Sequence, residues 1–263
     1  MNTSIKNALL PFTPFSTAHL KLLLAVQAGL ALALWFGSGS KSLPTPVDVA
    51  HAWVAMAQTQ GLIFELWESV KVLLLALLLS STLSLAVTAA GTAPIFMPLA
   101  QASSVLRFLG FAGLTYLFML MTNDSYQLKL ALLVFGITVM MVTSMLAEVR
   151  AIPQQSVDHC KTLGMKNWRI TWELVVLGKA DVFLDLVRQN AAIGWTLLTM
   201  VEGLTRSQGG IGALLLNQNR YFQLSAVFAI QLTILAYGVS QDFLLGKLKQ
   251  VLCPYSTLGK TGE

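Results

Sequence analysis

The sequence predicts an all-α membrane protein, a polytopic bundle of six transmembrane helices. Three observations predict it. Hydrophobic residues fill 55% of the 263 positions and charged ones only 11%, where soluble domains carry roughly a quarter charged residues. The apolar residues fall in runs close to the ~20 needed to cross a bilayer, and these recur from Leu20 to the C-terminal tail. Laid out as alternating crossings, the runs collect basic residues mainly on one side. No polar block of domain size intervenes, so residues 1–263 read as a single transmembrane domain.

The first span is Leu20–Phe36. Lys6 and Lys21 precede an apolar stretch that contains Ala31-Leu32-Ala33, which imitates a secretory signal. The run is longer than the roughly 7–15 residues of a signal core, so it reads as a retained helix. Leu43-Pro44-Thr45-Pro46 then fixes two φ angles near about −65° and forces an extended segment. A short interfacial helix is expected over Val47–Gln60. The remaining spans are Val70–Ala90, Pro94–Met121, Leu130–Ala147, Val182–Val201 and Leu224–Leu245. The third is long, and a break is expected near Gly110 and Gly113.

With the N-terminus inside, the inner flanks collect Lys6, Lys21, Arg150, Lys161, Lys166, Arg169, Lys179, Lys247, Lys249 and Lys260. The outer flanks keep Lys41, Lys129, Arg206 and Arg220. Both termini are therefore expected on the cytoplasmic side.

Glu148 to Lys179 is the largest polar segment. Pro153 suits the first turn of a helix and Gly164 the left-handed residue just past its end, which brackets a helix over Pro153–Leu163. A second amphipathic stretch follows, with Trp168, Ile170, Trp172, Val175 and Val176 for apolar contacts and Lys166, Arg169 and Glu173 in water. On these residues alone, the hairpin either lies on the membrane surface or receives a partner.

Asp158-His159-Cys160-Lys161-Thr162-Leu163-Gly164, followed by Met165 to Glu173 and Leu174-Val175-Val176-Leu177, resembles the cytoplasmic signature of a known family. It is that of binding-protein-dependent (ABC) importer permeases of the nitrate/sulfonate/taurine group. Asp158, Gly164 and Leu174 fit; His159 and Cys160 stand where the family has alanines, and Leu177 where it has proline. Leu43-Pro44-Thr45-Pro46, Trp67, Ser69, Pro153, Val201-Glu202-Gly203 and Gly210-Ile211-Gly212 are similar to further family elements in the same order. Of a third-helix pattern, only Leu106-Arg107 remains.

The resemblance implies a permease subunit of the bacterial inner membrane whose segment 150–179 couples to a separate ATP-binding cassette subunit. Asp158, His159, Cys160, Leu163, Gly164 and Trp168 would form the coupling helix and its turn. Asp158 would meet a basic or donor-rich edge of the ATPase groove, whose shape would accommodate His159 and Cys160. A second permease copy or homologue, an extracytoplasmic substrate-binding protein and membrane lipid complete the expected partners. The implied solute is a small anion such as a sulfonate or nitrate. No cofactor is expected on this chain, with ATP and Mg held by the partner.

Other classes fit less well. Gly259-Lys260-Thr261 is the nearest approach to a phosphate loop, but Pro254 stands where the loop needs glycine. Adjacent His159 and Cys160 point about 100° apart on a helix and form no dyad. Cys160, Cys253 and the three histidines share no metal-ligand spacing. The net charge of +5 is dispersed, without the aromatic interleaving of a nucleic-acid surface. Arg107, Arg188 and Glu202 lie in or near spans, where ionisable groups are rare. They either line an anion path or pair within the bundle, as Asp185 could with Arg188. An ion-coupled transporter and a non-transporting scaffold are the rival readings.

Overall fold

The structure, a computed structural model, describes residues 17–37, 44–205 and 209–254. Lys6, Lys41, Leu43, Arg206 and Gly259-Lys260-Thr261 lie outside them. The described residues are predominantly helical, with no strand among them. In a solvent without hydrogen-bonding partners, a helix satisfies its backbone within one segment. His19–Gly37, Leu62–Ala90, Ser125–Arg150 and Leu224–Leu252 are long and apolar enough to cross a membrane.

Helix α1 (Thr17–Gly37) is exposed along nearly its whole length. Its end is held by the Trp35 indole, which donates to Pro44 O (3.0 Å) and packs near Phe228. Helix α2 (Pro46–Thr59) falls where a short helix is expected and starts with a capping box. Thr45 Oγ1 accepts from the Asp48 N–H (3.2 Å), and the Asp48 carboxylate accepts from the Thr45 N–H (3.1 Å) and hydroxyl (2.7 Å). The Thr45 hydroxyl, then the Thr45 N–H, hold the Asp48 carboxyl below its usual range.

Helix α3 (Leu62–Ala90) begins eight residues before the predicted span, directly after Gly61 at φ +65°. The third predicted span is broken. Helix α4 (Met97–Val105) ends in a 3-10 turn, Leu106–Phe108, the chain extends through Leu109 and Gly110, and α5 (Phe111–Met121) follows. Helix α6 is Ser125–Arg150, α7 Gln154–Thr162, and α8 Asn167–Thr171, which continues into a π-helical segment, Trp172–Leu177. Helices α9 (Ala180–Thr205), α10 (Ile211–Arg220) and α11 (Leu224–Leu252) complete the chain.

The core lies between α3, α6 and α9, around Leu73, Leu132, Leu133, Ile137, Met141 and Leu198. Lipid is as apolar as leucine, so membrane helices hold together through close packing at small residues. Ala76, Ser80, Ser84 and Thr88 recur every fourth residue of α3 and are each 0% exposed. Ser80 Oγ donates across to Val134 O of α6 (3.2 Å). Gly194 of α9 lets Leu73 approach, since a Cβ there would lie 2.8 Å from Leu73 Cδ1. The opposite face of α3 shows Leu74, Leu78 and Leu83 to the surroundings, as α1 shows Leu30 and Leu34.

The topology creates two ends. The starts of α3 and α6 meet the end of α9 and the start of α10 at one. At the other, the α3–α4 turn meets α8, where the hydroxyls of Thr92 and Thr171 are 3.1 Å apart.

Candidate functional site

The hairpin end is built by its turn. Pro153, extended at φ −65° and ψ 138°, is the N-cap of α7 rather than a residue within it. At the other end Gly164 adopts φ +75°. Its N–H donates to Lys161 O (2.9 Å) and the Met165 N–H to Cys160 O (3.2 Å). This is the Schellman pair, which satisfies the last carbonyls of α7 and turns the chain within two residues. A Cβ on Gly164 would meet nothing within 4 Å, so its glycine answers a conformational demand and not a spatial one.

Of the expected coupling residues, Asp158, His159, Leu163, Gly164 and Trp168 are exposed. Asp158 accepts from Gln154 Nε2 (3.2 Å) and faces Lys161 Nζ at 3.5 Å. Cys160 differs: it is 8% exposed, turned inward on α7, and is not available to shape a partner's groove. The second amphipathic stretch also departs from expectation. Ile170 and Val175 are buried, but Trp168 and Trp172 are 62% and 57% exposed. Their apolar surface is offered outward. Where the resembled family has proline, the chain has the π segment, closed by the Gly178 N–H donating to Glu173 O (2.8 Å). A single-turn π segment of this kind is frequent at functional joints.

The hairpin is held to the bundle at several points. Val175 packs with Met145 and Leu186, and Lys179 pairs with Glu148 of α6 at 3.1 Å. A cavity of about 730 Å³ lies between the hairpin and the bundle, with Gln101, Arg150, Lys161 and Trp168 among its lining residues.

At the opposite end, Glu202 is 0% and Lys129 3% exposed. Ser69 Oγ donates to both Glu202 carboxylate oxygens (2.8 and 2.9 Å), Lys129 Nζ to one of them (3.2 Å) and the Gly212 N–H to the other (2.8 Å). Ser69 Oγ in turn accepts from the Ile211 N–H (2.9 Å), and Glu65 accepts from the Gly210 N–H. The first turn of α10 is thus tied to α3, α6 and α9. Gly212 permits it, because a Cβ there would lie 2.5 Å from Thr199 O. Lys129 is therefore no outer-flank charge in water but half of a buried ion pair. Such a pair is tolerated only when its remaining donors and acceptors are satisfied.

Arg188 does not pair with Asp185. It makes a bidentate ion pair with Asp242 of α11, while Asp185 pairs with Lys249. The seam continues with Trp195 Nε1 donating to Gln241 Oε1 (2.8 Å) and Trp195 edge-on to Tyr237. Arg107 stands apart, exposed on the 3-10 turn with its guanidinium 5.0 Å from the Phe108 ring centre. Arg107, Arg188 and Glu202 therefore form no common site. Among the described residues no group of three or more His, Cys, Asp or Glu could hold a metal ion.

Sequence reasoning missed Ser69 and Lys129 as partners of Glu202, and Gln241 and Asp242 of α11 as partners of Trp195 and Arg188 on α9. Asp242 left a signal, a carboxylate inside the predicted span Leu224–Leu245. Lys129 and Glu202 are 73 residues apart, and nothing local ties them. Comparison of the chain with protein-family models and with curated proteins finds no match.

Proposed function

We propose that the chain is the membrane-spanning permease subunit of an ATP-driven importer, with the α7–α8 hairpin as its coupling element. The observation that carries this reading is the hairpin's construction. A short helix closed by a Schellman turn is fixed to the ends of α6 and α9, while Asp158, His159, Leu163 and Trp168 face outward. Such an element transmits a push as a rigid body instead of absorbing it. Its exposed tryptophans suit a partner surface, where Trp is enriched in energetic anchors.

In this reading α1, α3, α4 with α5, α6, α9 and α11 make six crossings. The hairpin and both termini are cytoplasmic, and the membrane is the bacterial inner membrane. The chain performs no catalysis. ATP and Mg are held by a separate ATPase subunit, and a substrate-binding protein delivers a small anion such as a sulfonate or nitrate. A second copy or homologue completes the path.

The test is uptake by vesicles reconstituted with the chain and the ATPase subunit that co-purifies with it. Uptake that requires internal ATP and continues with an uncoupler supports the importer. Uptake that stops with the uncoupler points to an ion-coupled transporter, and no uptake at all to a scaffold.

A further inference from the structure

We propose that the space between the hairpin and the ends of α3 and α6 holds one anionic phospholipid, with an acyl chain against α3 and its phosphate beside Arg150. The proposal goes beyond the permease reading and stands without it, because it rests on where two long apolar helices end. Helix α3 has 29 residues, about 43 Å at 1.5 Å per residue, against a hydrocarbon layer about 30 Å thick. A crossing helix of that length reaches the membrane boundary in its last turns. Helix α6, equally suited to cross, ends at Arg150. The hairpin is tied to both ends, by Thr171 to Thr92 just after α3 and by Lys179 to Glu148 of α6. Whichever side of the membrane this is, the hairpin lies at headgroup level.

Two cavities meet there, and they differ in chemistry. One, of about 310 Å³, is an apolar furrow lined by Leu85, Ala86 and Ala89 of α3 and by Trp168, Trp172 and Val176 of the hairpin. The other is the 730 Å³ cavity beneath the hairpin, whose lining includes Arg150 and Lys161 and no acidic residue among those described. Trp168 and Thr171 line both, so they stand at the border. An apolar furrow opening at the membrane boundary into a basic cavity matches the two halves of a phospholipid. Tryptophan at such a boundary is the usual membrane-interface arrangement, an apolar body with a polar tip.

The charges select an anionic headgroup. Arg150 is exposed and makes no ion pair or hydrogen bond among the described residues, and Lys161 has only its 3.5 Å contact with Asp158. Gln154, the first residue of α7, lines the same cavity, and Pro153 gives that helix no side-chain cap. The positive end of the helix dipole therefore adds to the field. A second copy of the chain could cover the furrow with an apolar helix but would leave Arg150 unpaired; an anionic lipid answers both. Asp158, His159 and Leu163 line neither cavity, so the proposed ATPase contact keeps residues of its own, and Trp168 belongs to both surfaces.

The test is native mass spectrometry of the full chain in mild detergent, titrated with phosphatidylglycerol or with phosphatidylcholine of the same acyl chains. One phosphatidylglycerol per chain is expected to be retained at concentrations where phosphatidylcholine is not. Arg150→Gln should raise its dissociation constant about fivefold, the ordinary worth of one basic residue beside an anionic headgroup, and Arg150→Lys should restore most of the affinity. Ala86→Phe, which fills the furrow without touching a charge, should weaken both lipids. Both positions are exposed, so the thermal midpoint should stay at the parental value. Glycerol phosphate, the headgroup without its chains, should not displace the lipid. Equal retention of the two lipids, retention of neither, or unchanged affinity in Arg150→Gln or Ala86→Phe overturns the proposal. So does displacement by glycerol phosphate, which would mark a site for soluble anions, or a dimer that Ala86→Phe dissociates without loss of lipid, which would give the furrow to a second copy.

Discussion

Helix α9 runs between two ends that treat polar groups in opposite ways. At one, the charge of Glu202 is sealed from solvent and every element around it is bonded to it or to Ser69. At the other, Trp168, Trp172 and Leu163 are left open although they are the groups that burial favours. Sealing a charge fixes geometry, because any movement leaves a donor or acceptor unpaired. Opening an apolar surface invites a partner. The difference suggests a fixed end against which the hairpin end can be moved.

The largest expected effect comes from breaking the sealed end. Glu202→Ala or Lys129→Ala leaves its partner buried and unpaired, which costs about 3–5 kcal/mol in comparable buried pairs. A marked fall in the thermal midpoint of the detergent-solubilised protein is the readout. The double change Lys129→Met with Glu202→Gln is expected to cost less than the two single losses added together. If the single variants melt like the parent, the lock is not holding this end.

Gly212→Val tests the same end by shape. Its side chain would drive into Thr199, and overpacking of that kind costs about 1–3 kcal/mol. Proteolysis at the α9–α10 connection should accelerate in step with the loss of stability.

At the open end the expectation reverses. Trp168→Ala and Asp158→Lys touch exposed side chains, so stability should change by no more than about 0.5 kcal/mol. The Asp158–Lys161 contact at 3.5 Å is open to water and worth little. Co-purification of the proposed ATPase subunit should nevertheless fall in both variants. A loss of melting temperature instead would show that the hairpin belongs to the structural core.

The smallest effect is a pH dependence at the α2 cap. The Thr45 hydroxyl and N–H lower the folded-state value of Asp48, so the unfolded chain binds the proton more readily. The stabilisation is complete above the ordinary carboxylate range and fades as pH falls through the lowered value. Amide exchange in the first turn of α2 should quicken in acid, and Thr45→Ala should abolish that dependence.

Much of this was legible in the sequence. Helical runs announced α1, α3, α6 and α11, because a bilayer allows few alternatives to a long apolar helix. Pro153 and Gly164 delimited α7 because each has a backbone preference independent of its neighbours. The sealed end was not legible, since Ser69, Lys129 and Glu202 meet only when three helices pack. The inward turn of Cys160 and the outward turn of Trp168 and Trp172 were hidden for a related reason. Periodicity gives the spacing of a face but not the direction it points, and the π segment shifts the register of the residues after Thr171.

The central claim is that the hairpin transmits motion, and Gly164 tests it most directly. At φ +75° with open space around a new Cβ, a side chain meets backbone strain alone, worth about 1 kcal/mol. Valine, branched at Cβ, tolerates that conformation less well than alanine. The measurement is solute-stimulated ATP hydrolysis by the reconstituted complex carrying Gly164→Ala or Gly164→Val, at matched membrane levels. The account predicts near-normal insertion, a partial loss with alanine and a nearly complete one with valine. Full stimulation and uptake in Gly164→Val, with the ATPase still bound, would contradict it.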